Sequence, residues 1–151
     1  MLELSVRTVG GMTLCRQQRF PRTRSSVRAA RQFAGDTLGQ WGISDRGDDI
    51  RFCASELAAN AVLHGVPYGR EFCVRLLWED GVVRVEVRDS GPGVPAVGRP
   101  GVEASSGRGL WLVSELADEL GVTDQLVGKT VWVRFKCSPI RHGARHAADQ
   151  G

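Results

Sequence analysis

Apolar and polar positions along the chain follow two periodicities. Val27, Ala30, Phe33, Ala34, Leu38 and Trp41 recur at helical spacing and predict a helix from about Ser26 to Trp41, with Ser25 or Ser26 as the cap and Gly42 as the stop. Asp45 to Asp49 supply the cap of a second helix, from about Asp48 to His64, which Gly65 closes at a position suited to a left-handed residue. The pattern then changes to alternation. Phe72, Val74, Leu76 and Trp78 mark one face of a strand over Glu71 to Trp78, and Glu79-Asp80-Gly81 is a hairpin signal. Val83, Val85 and Val87 alternate with Arg84, Glu86 and Arg88 on the return strand. Val131, Val133 and Phe135 mark a further strand over Thr130 to Lys136. Met12 to Phe20 reads as an edge strand ended by Pro21, after a ragged stretch over residues 1–10. A third helix opens at Gly107-Arg108-Gly109-Leu110 and runs to about Leu120, burying Leu110, Val113, Leu116, Ala117 and Leu120, with Gly121 as its stop.

Period two also fixes the direction of Asp89. It continues the valine face of its strand, so its carboxylate is expected to point into the layer between sheet and helices. Ser90-Gly91-Pro92-Gly93 then turns the chain. An inward Asp followed by Gly91 and Gly93, which let a flat group approach the backbone, suits recognition of a purine amino group. Asp, Ser, Gly and Pro are equally the residues of an ordinary turn.

Glu56 and Asn60 stand one turn apart in Glu-Leu-Ala-Ala-Asn-Ala-Val-Leu-His-Gly. At 100° per residue Asn60 lies about 40° from Glu56, and Ile50, Cys53, Ala54, Leu57 and Ala61 occupy the neighbouring arc. Both polar groups therefore border the buried side. There an unpartnered polar atom costs about 1–3 kcal/mol. A hydrated Mg²⁺ accepts hard oxygen ligands and is completed by phosphates, so it would satisfy such a pair. A plain amphipathic helix with Glu56 and Asn60 in water is the alternative.

Residues 91 to 108 hold five glycines and three prolines among small residues, the make-up of a mobile loop that can close over a ligand. The Gly-x-Gly entry to the third helix offers N–H groups and a positive dipole end to phosphates, or serves as a hinge. Gly128-Lys129-Thr130 mimics the end of a P-loop. Thr123 stands where that motif needs glycine, and a strand follows where it needs a helix. His142 and His146 share helical spacing, but Gly143 and polar surroundings argue against a metal site.

Composition adds limits. A chain of 151 residues, 42% hydrophobic and 25% charged, has the size and make-up of one soluble globular domain. Its net charge of +3 says little. Arg16, Arg19, Arg22, Arg24, Arg28 and Arg31 form the densest basic stretch, without interleaved aromatics, so direct nucleic-acid binding is not expected. Cys15, Cys53, Cys73 and Cys137 form no Cys-x-x-Cys pair and read as free thiols in a reducing cytoplasm. No apolar run spans a bilayer and no signal peptide is present, so a cytoplasmic location is expected. Residues 1–137 are expected to form one domain, with 138–151 a disordered tail.

The order of these motifs resembles the GHKL (Bergerat-fold) ATPases. A Glu-x-x-x-Asn helix is followed by a hairpin ending in Asp-x-Gly-x-Gly, a small-residue loop, a Gly-x-Gly helix and a closing strand. Within that superfamily, Pro21 before the first helix and Ser-Glu-Leu-Ala-Ala-Asn-Ala-Val-Leu-His-Gly look most like the bacterial serine-kinase anti-sigma factors, over roughly Pro21 to Phe135. The resemblance implies an α+β two-layer sandwich, a mostly antiparallel sheet of four to five strands covered on one face by about three helices. It implies ATP and Mg²⁺ as cofactors. Asn60 would hold the metal, Glu56 would act as general base, Asp89 would read the adenine amino group beside Gly91 and Gly93, and Gly107, Arg108 and Gly109 would line the phosphates. His64 and Gly65 match the end of the helix motif and read as structural. The family often carries a threonine beside the adenine on the last strand. Thr130 has the wrong parity for it. The implied activity is phosphorylation of an anti-anti-sigma protein on serine or threonine, with reversible sequestration of a sigma factor and possible homodimerisation. A nucleotide-dependent binding module without kinase activity is the alternative. A sensor histidine-kinase domain would need an upstream phospho-accepting histidine, and no histidine precedes His64.

Overall fold

The computed structural model describes residues 2–8, 11–64, 71–89, 104–124 and 128–137. Among the described residues, six strands, β1 (Leu2–Thr8), β2 (Gly11–Pro21), β3 (Glu71–Glu79), β4 (Val82–Asp89), β5 (Glu119–Asp124) and β6 (Lys129–Lys136), form one antiparallel sheet in the order β1-β2-β3-β4-β6-β5. The helices of the described residues, α1 (Ser25–Trp41), α2 (Gly47–His64) and α3 (Ala104–Leu116), make the second layer. The architecture is the α+β two-layer arrangement expected from sequence.

Register explains the core. Val74 pairs with Val87, Leu76 with Val85, Val85 with Val133 and Val87 with Val131, so one face of the sheet is a continuous apolar surface. Ala30, Phe33, Ala34 and Leu38 of α1, with Ile50, Cys53, Ala54, Leu57 and Ala58 of α2, close over it. Phe20 stacks on Phe72 at 5.6 Å and meets Phe33 edge-on at 6.1 Å, joining sheet to helix. The other face is polar. Glu86 accepts from both Arg75 and Arg84, and the Arg84 guanidinium lies 4.3 Å from the Trp132 ring.

The turns follow local chemistry. Gly42 sits at φ 72°, its N–H donating to the Gly39 carbonyl while the Ile43 N–H reaches back to Leu38, a Schellman ending. Asp80 and Gly81, at φ 52° and 79°, make the two-residue hairpin between β3 and β4. All four cysteines are free, and burial pushes the Cys53 thiol up to about 12, which leaves it inert at neutral pH.

Several elements differ from expectation. Residues 2–8 are a strand rather than a ragged end, so β2 pairs on both sides and β1 takes the edge. The α1 N-cap is Arg24, without a side-chain cap; Ser25 and Ser26 are helical and exchange hydrogen bonds with Thr23 instead. The third helix begins at Ala104 and ends at Leu116. Leu120 and Gly121 belong to β5, because pairing with β6 outweighs the helical spacing of Leu116, Ala117 and Leu120. Gly121 has its own reason there: the Trp132 indole lies across it, leaving no room for a side chain.

Candidate functional site

The polarity of α2 decides which end of the sheet carries the polar residues. Arg22, just after β2, donates from Nε to the Ala61 carbonyl at 3.2 Å and from Nη2 to the Val62 carbonyl at 3.0 Å. These acceptors lie in the last turn of α2, where carbonyls lack helical partners. Pro21 pairs with Glu71, Cys73 with Arg88 and Asp89 with Lys129. The end of α2, the end of β4 and the start of β6 therefore meet at one end of the sheet.

Arg46 fixes the opposite end. It donates to Asp118 Oδ2 at 2.7 Å and to the Leu116 carbonyl at 2.7 Å, and lies 4.9 Å from the Phe135 ring. Hydrogen bonds from the Lys136 N–H and from Arg46 hold the Asp118 carboxyl below its usual value. Since α2 starts where α3 ends, the two helices run antiparallel. Their registry is set by Glu56 against Gly109, so the first turn of α3 lies level with Asn60.

Asn60 is 3% exposed, and its Oδ1 is buried with no hydrogen-bond partner among the described residues. Leaving such an acceptor empty costs about 1–3 kcal/mol. Glu56 is half-buried, and burial raises its carboxyl above the ordinary glutamate value. Both residues border the buried arc, as the helical spacing predicts.

Asp89 is buried at 5% on the helix side of β4, in line with Val83, Val85 and Val87. Its Oδ1 faces Lys129 Nζ at 3.6 Å, and both side chains are 4% exposed. Lys129 is the residue the sequence reading missed. It shares the parity of Val131, Val133 and Phe135, the same argument that sends Thr130, paired with Arg88, to the other face. That parity was enough to place Lys129 inward beside Asp89.

Gly107 and Arg108 lie within α3 rather than ahead of it, and the free N–H groups at that end are those of the first turn. Gly109, further in, is buried against the Glu56 carboxylate. Gly65, Gly91 and Gly93 lie outside the described residues, as do the rest of 90–103 and residues 138–151; His64 closes α2. Among the described residues, no three His, Cys, Asp or Glu side chains converge as a metal cluster, and no helix is long and apolar enough to cross a membrane.

Comparison with known proteins places this geometry. The chain resembles the structure of the RsbU and RsbW domains of Rv1364c from Mycobacterium tuberculosis, with a TM-score of 0.64 and 22% identity. The match covers 85% of this chain and 33% of that one, so the chain spans about a third of the length of the solved mycobacterial chain. The histidine kinase domain of the blue-light activated histidine kinase from Erythrobacter litoralis EL346 aligns at a TM-score of 0.49 and 20% identity, over 78% of this chain and 62% of that one. No curated protein is significantly similar in sequence. The profile of the histidine kinase-like ATPase domain matches residues 20–135, from the end of β2 through β6. The chain therefore belongs to the histidine kinase-like ATPase family, the ATP-binding domains of the GHKL superfamily.

Proposed function

We propose that the chain binds ATP with Mg²⁺ and transfers the γ-phosphoryl group to a serine or threonine hydroxyl of an anti-anti-sigma protein. In its other state it sequesters a sigma factor in the cytoplasm, with residues 1–137 acting as one unit. The observation that carries the reading is the empty, buried Oδ1 of Asn60, one turn from a Glu56 carboxyl whose affinity for a proton is raised by burial. A hard oxygen with no partner among the described residues fits a hydrated Mg²⁺ completed by phosphates, and needs no cluster of acidic side chains. Bound there, the metal would neutralise charge on the phosphates.

The remaining roles belong to the chain's own groups. Asp89, with Lys129 Nζ 3.6 Å from its Oδ1, accepts from the adenine amino group, and Gly91 and Gly93 let the base approach. Gly107, Arg108 and the first turn of α3 face the phosphates with the positive end of a helix dipole. Glu56 takes the proton of the attacking hydroxyl as its oxygen bonds to the γ-phosphorus and the bond to the β-phosphate oxygen breaks, releasing ADP. A carboxyl made more basic by burial suits that task. The mycobacterial neighbour, in which an RsbW domain occurs with an RsbU domain, is consistent with a partner-dependent regulator.

Calorimetry with Mg²⁺ and ATP, beside radiolabel transfer from γ-labelled ATP to a small anti-anti-sigma-like protein, tests the proposal. Glu56→Ala is expected to bind ATP and fail to transfer, and Asn60→Ala to lose the Mg²⁺ dependence of binding. ATP binding without transfer by the wild type would leave a nucleotide-dependent binding module in place of a kinase.

A further inference from the structure

A glycine inside a helix costs about 0.5–1 kcal/mol relative to alanine, so Gly109 in the second turn of α3 needs a reason. It is not a turn residue, for its backbone is helical. A Cβ built on it would overlap Glu56 Oε1 and stand 3.2 Å from Glu56 Cδ and 3.9 Å from Cγ. Next to it on α3, Leu110 and Val113 are buried and pack into the core, so the contact is part of the helix interface and not a surface accident. This contact lies along the α2–α3 interface between the Arg46–Leu116 bond and the Asn60 end.

We propose that Gly109 is a positioning residue, whose missing side chain forms the socket in which the Glu56 carboxylate rests, so that the seating of α3 on α2 sets the reach of the base. This rests on the reading of Glu56 as general base. Alanine at position 109 pushes the carboxylate away by about 1 Å, a displacement that in a reacting geometry costs on the order of 100-fold in rate. Because the obstructing atom is the end of a flexible side chain, the fold itself is expected to tolerate the change, with the helix gaining from the alanine.

The test uses the full chain. A carbon-detected NMR titration follows the Glu56 carboxyl in wild type and in Gly109→Ala, and release of inorganic phosphate from ATP with Mg²⁺ follows turnover, water attacking the γ-phosphorus, ADP leaving and Glu56 receiving the proton. The Glu56 carboxyl of Gly109→Ala is expected to titrate closer to the ordinary glutamate value than that of wild type, with kcat down about 100-fold and KM for ATP within about twofold. Glu56→Asp, one methylene shorter, clears the new methyl, so in the Gly109→Ala background it is expected to cost far less activity than in wild type. Ser114→Ala, on the exposed side of α3, serves as the control and is expected to change neither readout. An unshifted Glu56 titration in Gly109→Ala overturns the socket. Full phosphate release by Glu56→Gln overturns instead the base on which it depends, a result read from a different variant.

Discussion

Substituting Asp89 alone confuses recognition with folding, and the structure gives a way to separate them. Lys129 Nζ lies 3.6 Å from Asp89 Oδ1 with each side chain 4% exposed, so removing either one takes an opposite charge away from a buried group. Losses of this kind run to about 3 kcal/mol. Asp89→Asn and Lys129→Met are each expected to lower the unfolding free energy by about that amount, measured by urea denaturation in the absence of nucleotide. The double substitution removes both charges of the pair and is expected to cost about 3 kcal/mol rather than the roughly 6 of simple addition, a coupling of about 3 kcal/mol. Binding then divides the same variants differently. Lys129→Met retains the carboxylate and is expected to keep binding ATP. The double variant, folded but lacking the charged acceptor, is expected to lose roughly 10- to 100-fold in affinity by calorimetry, the worth of a hydrogen bond to a charged group. Additive stability costs would refute the pairing argument. Unchanged ATP affinity in the double variant would refute the assignment of Asp89 to the base.

Three further outcomes follow from the geometry. Burial raises the Glu56 carboxyl, so its ionisation costs folding free energy that is absent below the ordinary glutamate value and appears as pH rises through the raised one; Glu56→Gln is expected to melt above wild type at pH 7, to match it near pH 4, and to lose transfer. Arg46→Ala gives up its bonds to Leu116 and Asp118 and its stacking on Phe135, with the Asp118 share discounted for that side chain's 37% exposure; a loss of about 2 kcal/mol in urea is expected. The Asp118 carboxyl is held low, so its contribution is present above the ordinary aspartate value and disappears as pH falls through the depressed one, and the difference between wild type and Arg46→Ala should narrow there. Gly121→Ala must lift the Trp132 indole, breaking its 3.2 Å bond to Thr123 Oγ1; a loss of about 1–2 kcal/mol is expected, with a shift of the Trp132 indole N–H resonance.

What could be read from sequence followed from strong periodicity. Val83, Val85 and Val87 sent Asp89 inward, and Cys53, Leu57 and Ala61 put Glu56 and Asn60 at the border of the core, because one solvated face leaves each element a single sensible orientation. β1 was legible in the alternation of Leu2, Leu4 and Val6 before Gly10 and Gly11, but a short terminal strand gains its stability from a partner the sequence does not name. β5 was hidden because Leu116, Ala117 and Leu120 keep helical spacing across the true helix end. Lys129 was masked by its likeness to a P-loop lysine. The contact of Gly109 with Glu56 joins residues 53 positions apart and has no local signature at all.

Arg46 clamps the beginning of α2, the close of α3 and the far tip of β6, all remote from Asn60 and Asp89. The molecule is thus bound like a book along one margin, with Asn60 and Asp89 toward the other. Changes near the binding should alter how firmly the covers hold while sparing the page, so a lineage could retune robustness to heat without rewriting the margin that carries Asn60 and Asp89.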